Sequence, residues 1–296
     1  MAGQKVAFIG LGTMGYPMAG HAAATHDVTV FNRTASTASR WVAEHGGSAA
    51  DTPRQAAAGA DVVCTCVGGD PDVREVVYGE HGVLAGMAPG AVLVDHTTAS
   101  AVLARELAAA AAAGGFGFVD APVSGGQAGA ESGRLSIMCG ADPDTLAAVR
   151  PVLETYGAFI THVGPVGHGQ LAKMVNQILC AAAVEGAAEA LNFALAAGLD
   201  TDQVLAGVTK GAANSWYLEN RGHTMIEGRF DFGFAVDWIR KDLRVCLDEA
   251  GRLGAPLPLS ALAEADYQRL QDRGDGRLDA TAVIRLRSEE STAGDG

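Results

Sequence analysis

From Lys5 to about residue 163, short apolar runs alternate with longer stretches whose apolar positions recur every three to four residues. The runs 5–9, 28–31, 61–67, 91–95, 116–120, 135–139 and 158–163 read as strands. The stretches 13–24, 35–46, 71–78, 99–113 and 143–156 read as helices. Gly68-Gly69-Asp70-Pro71 and Gly140-Ala141-Asp142-Pro143 mark strand ends. Alternation of this kind predicts a mostly parallel sheet with helices on both faces.

At Gly164-Pro165 the pattern changes. Residues 167–197 carry neither Pro nor an internal turn cluster, and Leu171, Val175, Ile178, Leu179, Ala182, Ala183 and Leu191 recur at helical spacing. Such a helix is roughly 45 Å long at about 1.5 Å per residue. It is apolar around most of its circumference, which predicts burial on many sides. It reads as a spine leaving one domain and entering the core of a second. Beyond Leu199 strand alternation stops, and helices are expected at 201–211, 235–253, 258–272 and 279–287, with Asp200 and Asp279 placed as N-caps. The expected organisation is an α/β domain over 1–163, a spine over 164–197, an all-α domain over 198–288 and a disordered tail over 289–296. An all-α domain this small covers the spine poorly, so a homodimer or homotetramer is expected.

The first strand runs into Gly10-Leu11-Gly12-Thr13-Met14-Gly15, then a helix, then the second strand. Inside a βαβ unit this G-x-G-x-x-G spacing reads as a dinucleotide-phosphate turn. Gly10 permits the tight turn, Gly12 lets a pyrophosphate approach the backbone, and Gly15 lets helix and strand pack closely. Unpaired N–H groups at the helix start face the phosphates, and Pro17 sits in the first turn, where a missing N–H is tolerated. An NAD-binding unit ends its second strand in Asp or Glu, whereas this chain has Asn32-Arg33-Thr34. No carboxylate repels a 2′-phosphate there, and a guanidinium is at hand to bind one. The expected cofactor is therefore NADP, with NAD second.

Charge and cysteines narrow the partners. The net charge is −13 over 296 residues, which disfavours nucleic acid and anionic membrane surfaces. An acidic substrate then needs a locally positive site. The five cysteines, 64, 66, 139, 180 and 246, show no metal-ligand spacing and read as reduced core residues. The eight histidines are scattered, with His168 read as a loop or cap residue, so no metal is expected. A strand begins by Lys5, which leaves no room for a signal peptide, and apolar runs such as 107–113 fall short of a membrane span. A soluble cytoplasmic protein is expected.

Two further segments carry candidate chemistry. Asp120-Ala-Pro-Val-Ser124-Gly125-Gly126 follows a strand, and its Ser-Gly-Gly backbone can form a nest for a carboxylate, although taken alone the segment reads first as a plain turn. Gly167-His-Gly169-Gln-Leu-Ala-Lys173-Met-Val-Asn176-Gln177 opens the spine, where the two glycines would let a ligand come close. Lys173 shares a helical face with either Asn176 or Gln177. A desolvated Lys has a lowered pKa and serves as a general acid or base.

With Lys241-Asp242 as a fourth segment, the chain resembles the β-hydroxyacid dehydrogenases, such as 3-hydroxyisobutyrate dehydrogenase and tartronate semialdehyde reductase, over about residues 4–287. The resemblance implies a Rossmann-type doubly wound sheet, a long interdomain helix and an all-α C-terminal domain. It implies hydride exchange between a nicotinamide dinucleotide and a short 3-hydroxy acid or its semialdehyde. Lys173 corresponds to the family's acid/base lysine. Ser124, Gly125 and Gly126 correspond to the substrate-carboxylate segment, and Asn176 or Gln177 to the orienting amide. Lys241 would close over substrate and cofactor. Thr97-Thr98 occupies the place of a Ser-Thr pair near the nicotinamide, and Val67-Gly68-Gly69 replaces a Leu-Pro-like loop beside its ribose. This chain departs from members with Asn four residues after the lysine: it has Asn176 at +3 and Gln177 at +4. The aromatic-rich stretch at 214–221, with Phe232, Phe234 and Trp238, reads as a pocket wall or as core. Imine reductases are similar at Asn-Arg-Thr but lack the lysine. Phosphogluconate dehydrogenases carry a longer helical domain. A non-catalytic dinucleotide module would not need Lys173, Ser124 and Asn176 together.

Overall fold

The structure, a computed structural model, describes residues 3–293. The chain divides into two compact units, residues 1–173 and 174–296. The division falls after Lys173, inside the helix His168–Ala196, rather than at Gly164 where the sequence pattern changes.

The first unit holds nine strands: β1 Lys5–Ile9, β2 Asp27–Phe31, β3 Ser48–Ala49, β4 Val62–Thr65, β5 Val92–Asp95, β6 Gly117–Asp120, β7 Val123–Ser124, β8 Leu135–Gly140 and β9 Gly157–Gly164. They form one sheet in the order β3-β2-β1-β4-β5-β6-β8-β7, with β9 also on β8. Strands β1 to β6 pair in parallel, β8 runs antiparallel to β6 and β7, and β9 is parallel to β8. Successive side chains on a strand face opposite sides. Val6 and Phe8 accordingly join Val28, Val30, Cys64 and Val94 in one core, while Ala7 and Ile9 join Val63 and Leu93 in the other. Burial on both faces explains why these strands read as continuous apolar runs. The strand order reverses between β1 and β4, which opens a crevice at the carboxyl ends of those strands.

All seven expected strands are present, and β3 and β7 are additions too short to leave a pattern. The short 3-10 helix Val83–Ala85 went unpredicted, as did three α-helices: Pro53–Ala57, Gly126–Glu131 and Trp216–Ile226. The last begins at Ser215, whose side chain accepts from Leu218 N, so a local cap was legible beneath the aromatic residues.

The second unit is helical. Ala181, Val184, Ala188 and Leu191 from the long helix pack in one core with Leu243, Tyr267 and Val283. Asp200 and Asp279 act as expected, accepting from the backbone N–H groups of Asp202 and Gln203 and of Thr281. Arg287 is held between Glu185, at 2.8 Å, and Asp266. The helix Ile284–Ala293 extends through 289–293, part of the stretch expected to be a disordered tail, whereas 294–296 lie outside the described residues. The long helix also corrects the expectation about membrane spans. Its 29 residues, with a window of mean hydropathy 1.5, are long and apolar enough to cross a membrane. A core helix meets the same criterion, and here Ala181 and Ala188 are fully buried inside protein. Other positions on it are open: Val175, Leu179 and Phe193 are 58%, 64% and 71% exposed.

Candidate active site

The glycine turn is built as its spacing demands. Gly10 has φ 97°, and its N–H donates to Phe31 O at 2.9 Å. A Cβ on Gly10 would stand 2.3 Å from Cys66 O, and one on Gly15 would stand 2.1 Å from Gly10 O. A Cβ on Gly12 would meet nothing within 4 Å. Gly10 and Gly15 thus fit sheet and helix together, while Gly12 leaves an open face of backbone at the crevice. That open face, beside the start of the helix Gly15–Ala23, fits a dinucleotide pyrophosphate. Asn32 Oδ1 accepts from Leu11 N at 2.9 Å, and its Nδ2 donates to Thr34 O at 3.2 Å, so Asn32 braces the turn against the end of β2. Arg33 projects outward, 84% exposed, with Asp72 at 4.0 Å.

The loops after β4 and β5 are stitched together. Thr65 Oγ1 and Thr97 N both donate to Asp95 Oδ1, at 2.8 and 3.0 Å, and Val67 N donates to Thr97 Oγ1 at 3.1 Å. Asp70 accepts from Ser100 N and Oγ at 2.8 and 2.6 Å. The segments carrying Gly68 and Thr98 are thereby fixed side by side. Burial pushes the Asp95 carboxyl up to about 6.

His96 lies beneath this loop, fully buried, with Nδ1 2.7 Å from Ala121 O and Nε2 2.9 Å from Tyr156 Oη. A carbonyl only accepts, so Nδ1 carries the proton of the neutral ring and Tyr156 donates to Nε2. Burial lowers the imidazole from 6.5 to about 4. Its charged form is disfavoured only in the folded state, so His96 costs nothing above pH 6.5. As the pH falls from 6.5 towards 4, the unfolded chain binds a proton that the folded chain refuses, and stability drops by up to about 3 kcal/mol. The melting temperature of His96→Gln is therefore expected to approach that of the wild type between pH 7 and pH 4.5. A constant gap would refute this assignment. Asp95 titrates in the same range with the opposite sign, but it is common to both proteins.

Asp120, at the end of β6, is fully buried and accepts from Gly167 N and Gln170 N, both at 2.8 Å. It caps the long helix, whose own approach, Gly164-Pro-Val-Gly-His168, holds no Ser, Thr, Asp or Asn. That missing local cap was the sequence signal for a distant one. Burial outweighs the two N–H donors and raises the Asp120 carboxyl to about 7. A Cβ on Gly169 would stand 2.4 Å from Asp120 O and 2.5 Å from Met138 O. Gly167, at φ 89°, lies against Arg105. The expectation that these glycines admit a ligand is corrected: protein fills the space beside both.

One helical position after Gly169, Gln170 is 1% exposed, donates to Thr97 O at 2.7 Å and accepts from Ala99 N at 3.0 Å. It bolts the helix to the Thr98 loop, a role the sequence did not disclose. Lys173 follows on the same face and is 7% exposed. Ser124 lies in β7, followed by Gly125 and Gly126 with φ 133° and 61°, values that an L side chain rarely adopts. A Cβ on Gly126 would meet nothing within 4 Å, so this segment also presents open backbone.

The second unit carries the remaining candidates. Asn176 Nδ2 donates to Gln177 Oε1 at 2.7 Å and to Cys180 Sγ at 3.3 Å. Gln177 Nε2 donates to Asp242 Oδ2 at 2.6 Å, so both polar atoms of Gln177 have protein partners. Lys241 Nζ is 3.0 Å from Asp242 Oδ1 and 6.0 Å from the Trp238 ring centre. Among the described residues, no group of three or more His, Cys, Asp or Glu could hold a metal ion.

A doubly wound sheet with an open glycine turn at its switch point defines a dinucleotide-binding protein. Known proteins narrow the class. Residues 5–164 match the NAD binding domain of 6-phosphogluconate dehydrogenase, and residues 167–287 match the NAD-binding region of NADP-dependent 3-hydroxyisobutyrate dehydrogenase. An uncharacterized oxidoreductase of Shewanella frigidimarina is 54% identical over 97% of this chain and 99% of its own. The 2-hydroxy-3-oxopropionate reductase of Escherichia coli is 36% identical over 95% and 96%. The crystal structure of a 3-hydroxyisobutyrate dehydrogenase from Salmonella typhimurium superposes with a TM-score of 0.87 at 31% identity, covering 96% of this chain and 99% of that one. The chain belongs to the β-hydroxyacid dehydrogenase family, as its motifs imply, and is an NAD(P)-dependent 3-hydroxyacid dehydrogenase or reductase.

Proposed function

We propose that the enzyme interconverts a short 3-hydroxy acid and its semialdehyde or 3-oxo acid, with NADP(H) preferred and Lys173 as general acid/base. The observation that carries this reading is the placement of Lys173. It is 7% exposed and sits one turn beyond Gln170, which grips the Thr97–Ala99 backbone, on a helix pinned by Asp120. When bound, the nicotinamide supplies or accepts the hydride. Lys173 Nζ takes the hydroxyl proton in oxidation and returns it in reduction. The backbone of Ser124, Gly125 and Gly126 is the carboxylate-binding segment, and Asn176 and Lys241 are the substrate-directed residues of the second unit. The segments 10–15, 32–34, 67–68 and Thr98 bind the dinucleotide, together with Lys241.

The cofactor preference rests on Asn32-Arg33-Thr34. With Asn32 committed to the turn, Arg33 is left to meet a 2′-phosphate. Wild-type kcat/KM is expected to favour NADPH over NADH, and Arg33→Ala to shrink that ratio by about 10-fold, the scale of one charge-assisted contact at an exposed site. A substrate panel of 3-hydroxyisobutyrate, glycerate and short semialdehyde acids, run in both directions with both cofactors, tests the whole reading. A wild-type preference for NADH would sink the cofactor assignment, and no turnover with any acid would sink the reaction. Exposed Val175, Leu179 and Phe193 support a homodimer or homotetramer, which a monomer in sedimentation would contradict. The charge of −13 supports the absence of nucleic-acid and anionic-membrane partners, and a cytoplasmic enzyme is part of the same reading.

A further inference from the structure

Gln177 lies four residues after Lys173 on the long helix. It is 2% exposed and lies between Asn176 and Asp242. We propose that Gln177 is a positioning residue which, oriented by the Asp242 carboxylate, fixes the direction in which Asn176 presents its amide and links Asn176 to Lys241. The inference rests on the reading of Asn176 and Lys241 as the substrate-directed groups of the second unit.

The order of donors and acceptors follows from one charge. An ionised carboxylate only accepts. Lys241 Nζ approaches Asp242 Oδ1 at 3.0 Å, so Oδ2 takes the second donor, Gln177 Nε2, at 2.6 Å. The Gln177 carbonyl must then face Asn176, and it accepts from Nδ2 there at 2.7 Å. The other N–H of that amide points to Cys180 Sγ, at 3.3 Å. The Asn176 amide is therefore held with its nitrogen turned to Gln177 and Cys180 and its oxygen turned away from them. So held, the amide commits both of its N–H donors to protein. Asn at 177 would be one methylene shorter and could not span both partners. Asp242 is 4% exposed, so water replaces none of these bonds cheaply.

Reversing the polarity of the central bond tests the proposal. In Gln177→Glu the side chain keeps its shape and still accepts from Asn176, but two carboxylates now face each other and must share a proton. Activity should hold at low pH and fall as the pH rises through the loss of that proton, a limb that the wild type lacks. At pH 8 kcat/KM for the hydroxy acid should be down by about 10- to 100-fold, the scale of one hydrogen bond to a charged group. NADPH binding should stay within about 2-fold of wild type, since a broad folding defect would move it too. In Gln177→Glu with Asp242→Asn, Nδ2 of the new amide donates to the new carboxylate. The Asn176 orientation is restored, so the extra pH limb should vanish and kcat/KM should recover by about 10-fold or more over Gln177→Glu alone. Thermal melts of the two single variants and the double provide a second reading that needs no substrate, with the double expected above Gln177→Glu. A double variant no better than Gln177→Glu in pH profile and in melting would overturn the proposal. Recovery in the melts, with a wild type inactive towards every acid tested, would support the bond polarity and overturn the catalytic reading instead.

Discussion

Lys173→Met is expected to lower kcat by about 10³-fold, within the range attributed to a general acid/base, while the Kd for NADPH stays within about 2-fold. Met keeps most of the stem length and apolar contact of lysine, so the buried position stays filled and the helix keeps its packing. What is removed is the proposed proton-exchanging group. Lys173→Arg separates proton transfer from simple charge. A guanidinium holds its proton throughout the working pH range. If charge alone assisted the reaction, Arg would retain much of the rate. The proton-transfer role requires Arg to be as inactive as Met. The measurement is steady-state kcat in both directions, beside NADPH titration followed by fluorescence. Wild-type turnover in Lys173→Met would remove the mechanism, whatever the substrate proves to be.

Gly169→Ala is expected to be strongly damaging to the first unit. Its Cβ would lie 2.4 and 2.5 Å from the Asp120 and Met138 carbonyl oxygens and 2.8 Å from Asp120 Oδ2. Both carbonyls belong to strands of the sheet, which cannot retreat without breaking ladder bonds, so the helix start must move instead. Overpacking of this kind costs about 1–3 kcal/mol, and weakening the bonds from Gly167 N and Gln170 N to buried Asp120 adds about as much again. For a unit of this size the loss lowers the melting temperature by about 10 °C. It also shifts Gln170, and with it the Thr97–Ala99 backbone, so activity falls along with stability. Gly186→Ala on the same helix is the control. A Cβ there meets nothing within 4 Å, so the change is neutral or stabilising by about 0.5–1 kcal/mol through helix propensity. Equal melting temperatures for Gly169→Ala and the wild type would show that the helix start is not pinned as described.

The two replacements divide the site into what was legible and what was not. The burial of Lys173 was legible because its neighbours on a regular helix are set by a fixed period, and because a lysine amid apolar positions asks for a reason. Gly10, Gly12 and Gly15 were legible for a similar reason: a strand–turn–helix places steric demands on residues a few positions apart. The Gly167–Gly169 pair was misread because an absent side chain has the same appearance in sequence whether a ligand or the protein's own carbonyl occupies the space. Gln177 was left beside Asn176 as an alternative for the same contact. Their side chains differ by one methylene, and the difference matters only once Asp242, on another helix, is in place.

The sequence by itself determined most elements of both units and the crevice-forming glycine turn, because these follow from periodicity and from steric rules acting over a few residues, while the family chemistry came from the resemblance that its motifs carry. Only the tertiary structure decided that Asp120 caps a helix that begins almost fifty residues later, that Gln170 grips the loop after β5, and that Asp242 orients Gln177 from another helix. Those pairings join residues far apart in the chain. A buried carboxylate finds its donors by where the topology brings them, and local pattern carries no record of that.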